Sequence, residues 1–122
     1  MERFFALAGC VFAVVAVVIG AFGAHFLQSR LPTDSLVTLE TAVRYQMYHA
    51  LSLFFVAYSL GKWPSIVSPV SGWLFLSGII VFSGSLYILV ATEQRWIGML
   101  TPLGGMLLIG GWINLFINLT RT

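Results

Sequence analysis

From Phe4 to Phe26 the chain runs for 23 residues without a formally charged side chain. A bilayer core about 30 Å thick is crossed by about 20 apolar residues in helical form. In lipid every backbone N–H and C=O must be bonded inside the protein, so a lone apolar segment of this length has to be a helix. The run therefore predicts a membrane-crossing first helix, and the rest of the chain must fold around it.

The alternatives are targeting segments. The run exceeds the 7–15 residues of a secretory signal core. Leu7-Ala8-Gly9-Cys10 has the outline of a lipoprotein cleavage box, but the long apolar stretch follows the cysteine instead of preceding it. The first helix is expected to be retained, with Cys10 as a small buried packing residue.

Composition extends the same reading to the whole chain. Hydrophobic residues make up 59% and charged residues 8%, against about a quarter charged in an average soluble domain. That excludes a disordered chain, which needs low hydrophobicity and high charge. It also excludes an ordinary soluble domain, whose surface so few charges would leave in large apolar patches. Net charge is +2, from six basic residues scattered singly, so there is no nucleic-acid footprint; membrane lipids are the expected partner. A single cysteine rules out an internal disulfide or a cysteine-based metal cluster.

Four apolar segments divide the chain, read as one transmembrane domain over 1–122 with spans at about 4–27, 40–61, 67–91 and 96–119. The predicted fold is all-α, an integral membrane four-helix bundle. Pro32-Thr33-Asp34-Ser35 supplies candidate N-caps, so the second helix is expected from about Ser35 to Gly61, roughly 40 Å long. The fourth segment either starts as a helix at Thr101-Pro102 or starts near Trp96 and is kinked or restarted at Pro102. Four spans put both termini on one side. Arg3, Lys62 and Arg121 stand on that side and Arg30, Arg44 and Arg95 on the other. Discounting Arg44, which can pair with Glu40 at i, i+4, tips the balance by one residue towards cytoplasmic termini.

Small residues mark the faces on which membrane helices pack. Ala6, Gly9, Ala13, Ala16, Gly20 and Gly23 form an alternating three–four seam on the first helix. Ser71, Gly78, Ser85 and Thr92 recur every seven residues on the third, and Gly104, Gly111 and Asn118 on the fourth. Packing is the preferred reading of these stripes; a hydrated solute path is the rival. A bundle this small is also compatible with a homo-oligomer.

Ionisable residues within a span are functional candidates by default. The middle of each expected span lacks Asp, Glu, Lys and Arg, which leaves His25 and His49. On the second helix Tyr45, Gln46, His49, Ser52 and Ser59 share a face expected to point inward, with Glu40 and Arg44 roughly opposite. His25 ends the first helix and His49 lies early in the second, so their rings are expected at similar depth. Three roles fit the pair. The histidines can be structural hydrogen-bonders; they can form a small-ligand or lipid headgroup site with Tyr45, Gln46 and Ser52; or they can ligate a metal or haem, for which two histidines make a poor zinc set. A histidine dyad in catalysis is a fourth and lesser option. Asn114 and Asn118 are expected to hydrogen-bond across helices. No Walker A loop, G-x-S-x-G, H-E-x-x-H or C-x-x-C occurs, so a non-enzymatic role is favoured and the cofactor is left unknown. An oligomeric transporter or channel, or a haem or quinone redox protein, are the alternatives.

Four short motifs in series carry a family resemblance. They are Ile19-Gly20-Ala21-Phe22-Gly23-Ala24-His25, Tyr45-Gln46-x-x-His49-Ala50-Leu51, Phe82-Ser83-Gly84-Ser85-Leu86-Tyr87 and Thr101-Pro102-Leu103-Gly104-Gly105. Together they resemble the YgdD/YwdK-type small membrane proteins, catalogued as domain of unknown function 423 and UPF0382, and related to transmembrane protein 256. The resemblance implies a four-span protein of the bacterial cytoplasmic (inner) membrane. It imports no activity, but it sets His25 and His49 inside family motifs. The residue before Tyr45 is acidic in some members and is Arg44 here, which argues against a required carboxylate at that position.

Overall fold

A computed structural model describes residues 1–121. Four helices follow one another: α1 (Glu2–Leu27), α2 (Thr33–Lys62), α3 (Val70–Thr92) and α4 (Thr101–Thr120), the last preceded by a short 3-10 turn, Arg95–Met99. Among the described residues there is no strand. The protein is an all-α membrane bundle, and α1, α3 and the Arg95–Thr120 segment are each long and apolar enough to cross a bilayer.

α1 is helical throughout but not α-helical throughout. Regular turns from Glu2 to Val17 widen into a π-helical stretch, Val18–Gly23, and narrow again at Ala24–Leu27. Gly20 and Gly23, the residue type that holds α-helical geometry least firmly apart from proline, fall in this stretch. The sequence pattern predicted an unbroken helix here, because hydrophobic spacing does not distinguish a single wide turn.

α2 is 30 residues long, about 45 Å. It begins at Thr33, with Pro32 extended ahead of it. None of the candidate caps closes its N-terminus by a side-chain bond; Asp34 lies in the first turn instead, where a negative charge complements the helix dipole. At α4 the helix restarts at Thr101 with Pro102 in its first turn, where a missing N–H is harmless. α3 stops at Glu93, whose left-handed backbone (φ 57°) turns its N–H back to Leu89 O at 2.8 Å.

Consecutive helices are antiparallel. α1 packs along α2, α2 along α3 and α3 along α4, while α1 and α4 have at most marginal contact. The two ends of the chain lie at the same end of the bundle: Glu2 stands beside Gly61, and the Ser68 N–H donates to Asn118 Oδ1 at 2.9 Å. Asn118 also donates to Asn114 O at 2.6 Å, so the pair pins the end of α4 to the loop before α3.

Glycines are the seats of this packing. A Cβ on Gly9 would meet Ala50 O at 2.9 Å, one on Gly111 would meet Phe75 Cε1 at 2.6 Å, and one on Gly104 would strike the Phe82 backbone. Phe5 fills the notch at Gly72, and Leu108 the notch at Gly78. Gly78, Gly104 and Gly111 of the stripes are thus seated against the facing helix along the α3–α4 seam. Phe5, Leu53, Val56, Phe75, Ile79, Leu108 and Leu115 form the centre. Large apolar residues such as Leu7, Val11, Phe22, Ile109 and Phe116 cover the outside, as suits a bundle solvated by lipid. Cys10 belongs to that outer surface, against the expectation of a buried packing residue. It lies next to Gly9, but one residue on is 100° round the helix and away from the α2 seam.

Candidate functional site

Gln46, His49, Ser52 and Ser59 are buried on α2, as their shared face predicts, and Tyr45 lies exposed at its edge. Burial of an amide, an imidazole and hydroxyls is costly unless each finds a partner. Gln46 finds two. Its Nε2 donates to Phe12 O on α1 at 2.8 Å, and its Oε1 accepts from Tyr87 OH on α3 at 2.7 Å. One side chain thereby ties three helices. Close by, Ser83 Oγ donates to Ala42 O at 2.8 Å. Ser52 Oγ donates to Tyr48 O within its own helix at 2.8 Å.

His49 is held at both ring nitrogens. Trp112 Nε1–H on α4 donates to His49 Nε2 at 3.0 Å. Nε2 must then be the unprotonated nitrogen, and Nδ1–H donates to Tyr45 O at 2.8 Å. The ring lies among Phe75, Trp112 and Tyr45, with centroids 5.5, 6.0 and 6.3 Å away. A neutral imidazole with both nitrogens engaged is a finished hydrogen-bond unit; to ligate iron it would have to surrender the indole. A shallow groove of about 370 Å³ runs past this ring between Tyr45, Phe82, Leu108, Ile109 and Trp112. Its lining is almost wholly apolar and aromatic.

His25 stands elsewhere. The histidines were expected at similar depth, and the helix contacts overturn this. Ala50 lies against Gly9, and Gln46 reaches Phe12, so His49 is level with the first half of α1. His25 lies some fifteen residues further along that helix, about 20 Å at 1.5 Å per residue. The cause is the short link between α1 and α2. α2 starts almost at once, at Thr33, so His49 has already descended to the middle of the bundle. The five candidate residues His25, Tyr45, Gln46, His49 and Ser52 do not line one cavity. Tyr45 and His49 share the α2–α4 groove, Gln46 and Ser52 are interior, and His25 is alone.

What surrounds His25 is a second groove, of about 540 Å³, between α1 and α2. That volume is within the range of small-molecule sites, about 300–1,000 Å³. Gly20, Ala21 and Ala24 form one wall, and Leu36, Leu39 and Val43 the other. His25 and Gln28 border it from α1, Glu40 and Arg44 from α2. Arg44 Nη2 donates to Glu40 Oε1 at 2.6 Å, the i, i+4 pair that the sequence pattern predicts. The π-helical stretch supplies Gly20 and Ala21, so the widened turn and the groove coincide. Such turns recur at functional sites.

Trp112, Tyr87 and the Glu40–Arg44 pair were missed as site residues. Tyr87 lies within the Phe82–Tyr87 motif, and from sequence the Glu40–Arg44 pair only discounts a charge. For Trp112 the sequence carries no signal, since its partner lies two helices earlier.

Comparison with known proteins agrees with the membrane fold. The family model described as "Protein of unknown function (DUF423)" matches residues 19–105. The UPF0382 membrane protein YwdK of Bacillus subtilis (strain 168) is similar, at 45% identity over 116 residues, covering 94% of this chain and 94% of the relative. The UPF0382 membrane protein SAB0533 of Staphylococcus aureus (strain bovine RF122 / ET3-1) is 47% identical over 115 residues, covering 94% and 93%. No solved structure matches the chain. The matched segment includes His25, Glu40, Arg44 and His49 and ends ahead of Trp112.

Proposed function

The chain belongs to the DUF423 family of membrane proteins, and from that premise we propose that it crosses the bacterial cytoplasmic membrane four times and holds a lipid-like amphiphile in the groove between α1 and α2. The fourth crossing is α2. Its composition is more polar than that of its neighbours, but Gln46, His49, Ser52 and Ser59 are turned into the bundle, and it packs between α1 and α3. Both termini are cytoplasmic in this reading. With Cys10→Ser as the background, single cysteines at Ser65 and at Ser29 or Gln94 then react with an impermeant thiol reagent from opposite sides. Labelling of Ser29 and Ser65 from the same side would overturn it.

The observation that carries the ligand reading is the coincidence, in one groove, of apolar walls with a polar rim. Acyl chains gain from apolar walls and a headgroup gains from His25, Gln28, Glu40 and Arg44. A soluble metabolite would gain little from Leu36, Leu39 and Val43. The whole chain, reconstituted with a photoreactive diacyl lipid, is expected to crosslink at Ala21–Gln28 and Leu36–Arg44. Ala24→Trp, which fills the groove, is expected to abolish those crosslinks. Labelling spread evenly round the bundle, or unchanged by the tryptophan, would overturn the reading. In this account His49 is structural, and the protein binds rather than catalyses.

A further inference from the structure

The rim of the groove carries one guanidinium and one carboxylate, four residues apart on one helix face. We propose that it selects a zwitterionic aminophospholipid, with the headgroup phosphate on Arg44 and His25 and the primary ammonium on Glu40. This rests on the lipid-like reading of the groove and names the headgroup that reading leaves open.

Charge complementarity supplies the reason. A rim of one sign would take any headgroup of the other sign. A rim with both signs gains most from a head that also carries both, and it penalises one that does not. An anionic phosphoglycerol head brings its phosphate to Arg44 but leaves Glu40 facing a like charge, and rejection of that kind is how specificity is commonly built. A choline head neutralises Glu40 by charge but has no N–H to donate. A primary ammonium has three donors, and charge-assisted hydrogen bonds are the strong ones.

The groove is also arranged to release this pair at low cost. Without a ligand, Arg44 and Glu40 satisfy each other through one bond, Nη2 to Oε1. Arg44 retains further N–H groups and Glu40 a second oxygen. A zwitterion replaces that one contact with two of the same kind, so no charge is stranded near hydrocarbon before or after binding. His25 borders the groove from the opposite helix, one turn beyond Ala21, and adds an imidazole N–H for the phosphate. The acyl chains then run along Gly20, Leu39 and Val43, where the π-helical turn widens α1.

The test is headgroup competition. The full chain is placed in lipid nanodiscs containing phosphatidylethanolamine, phosphatidylcholine and phosphatidylglycerol in equal amounts with identical acyl chains, and retained lipid is read by native mass spectrometry. Phosphatidylethanolamine is expected to be retained roughly tenfold or more over either competitor, the lower range for a charge-assisted hydrogen bond. Glu40→Gln should erase the preference over phosphatidylcholine, and Arg44→Gln should lower retention of all three lipids. Thermal midpoints matching the parent protein check that each variant is folded. Equal retention of the three headgroups, or a preference untouched by Glu40→Gln, overturns the proposal. Ala24→Trp separates the two levels. If it abolishes retention while the headgroups compete equally, the groove binds lipid without selecting it. If retention survives the tryptophan, the groove reading falls with the headgroup.

Discussion

Both ring nitrogens of His49 are taken by groups of the bundle itself, while His25 borders an open groove. His49 is 6% exposed, with an indole on one ring nitrogen and a backbone carbonyl on the other. His25 is exposed, with Phe26 edge-on beside it and a groove in front. The same side chain thus serves two ends. Where helices approach through glycine notches, a buried imidazole must find partners, and His49 becomes a fixed connector. Beside the groove that borders the π-helical turn, His25 is left exposed. Identity of residue does not decide the surroundings of a histidine here; local packing does.

The comparison breaks most visibly under truncation. His49→Ala removes a ring packed on Phe75 and Trp112 and leaves the indole N–H without its acceptor, so we expect a loss of about 2–4 kcal/mol, read as a lowered unfolding midpoint in detergent. A shift no larger than that of His25→Ala would erase the contrast. Glycine substitutions sharpen it next. Gly104→Ala drives a methyl into the Phe82 backbone and should cost about 1–3 kcal/mol. Gly23→Ala meets only Ile19 Cγ2, at 3.7 Å, and should be neutral or gain up to about 1 kcal/mol from helix propensity; the same midpoint measurement compares the two. Trp112→Phe keeps a six-membered aromatic ring but removes the pyrrole with its N–H donor, at about 1 kcal/mol for the lost hydrogen bond. A double-mutant cycle with His49→Ala should show coupling between the two sites, and strict additivity would mean that the bond carries no stability. The smallest effect is at His25→Ala, within about 0.5 kcal/mol, with retained lipid falling while the midpoint stays.

Much of the architecture was legible in the chain. The uncharged run after Arg3 demanded a helix, and the heptad spacing of Gly78, Gly104 and Gly111 marked seams that neighbouring side chains do fill. The inward face of α2 was legible from Gln46, His49, Ser52 and Ser59, because a single helical period relates them. Other features depend on how separate helices meet. The depth of His49 follows from where α2 enters the bundle, and a link of five residues settles that more than any motif does. Trp112 could not be paired with His49 from spacing, since nothing in either segment encodes the α2–α4 approach. Cys10 was misjudged because an apolar neighbourhood in sequence does not say which side of a helix faces lipid. The α1–α2 groove was hidden for a further reason. Its rim residues Glu40 and Arg44 form an exposed i, i+4 pair, and only the packing of α1 beside α2 makes that pair border a cavity.

The widened turn of α1 has a meaning in chain length. A π-helical turn accommodates an extra residue while the helix on either side keeps its direction. Between Ala16, buried on α1, and His25, at the groove, the chain therefore carries one residue more than a regular helix presenting the same two faces would require. A chain one residue shorter within 18–23 would still direct Ala16 and His25 as they are, but would draw the helix tight and flatten the groove wall. A chain of the present length forced into regular turns would swing His25 by about 100°, away from Glu40 and Arg44. Residue count across this stretch, rather than any one side chain in it, is what keeps the open groove and the histidine at its rim together.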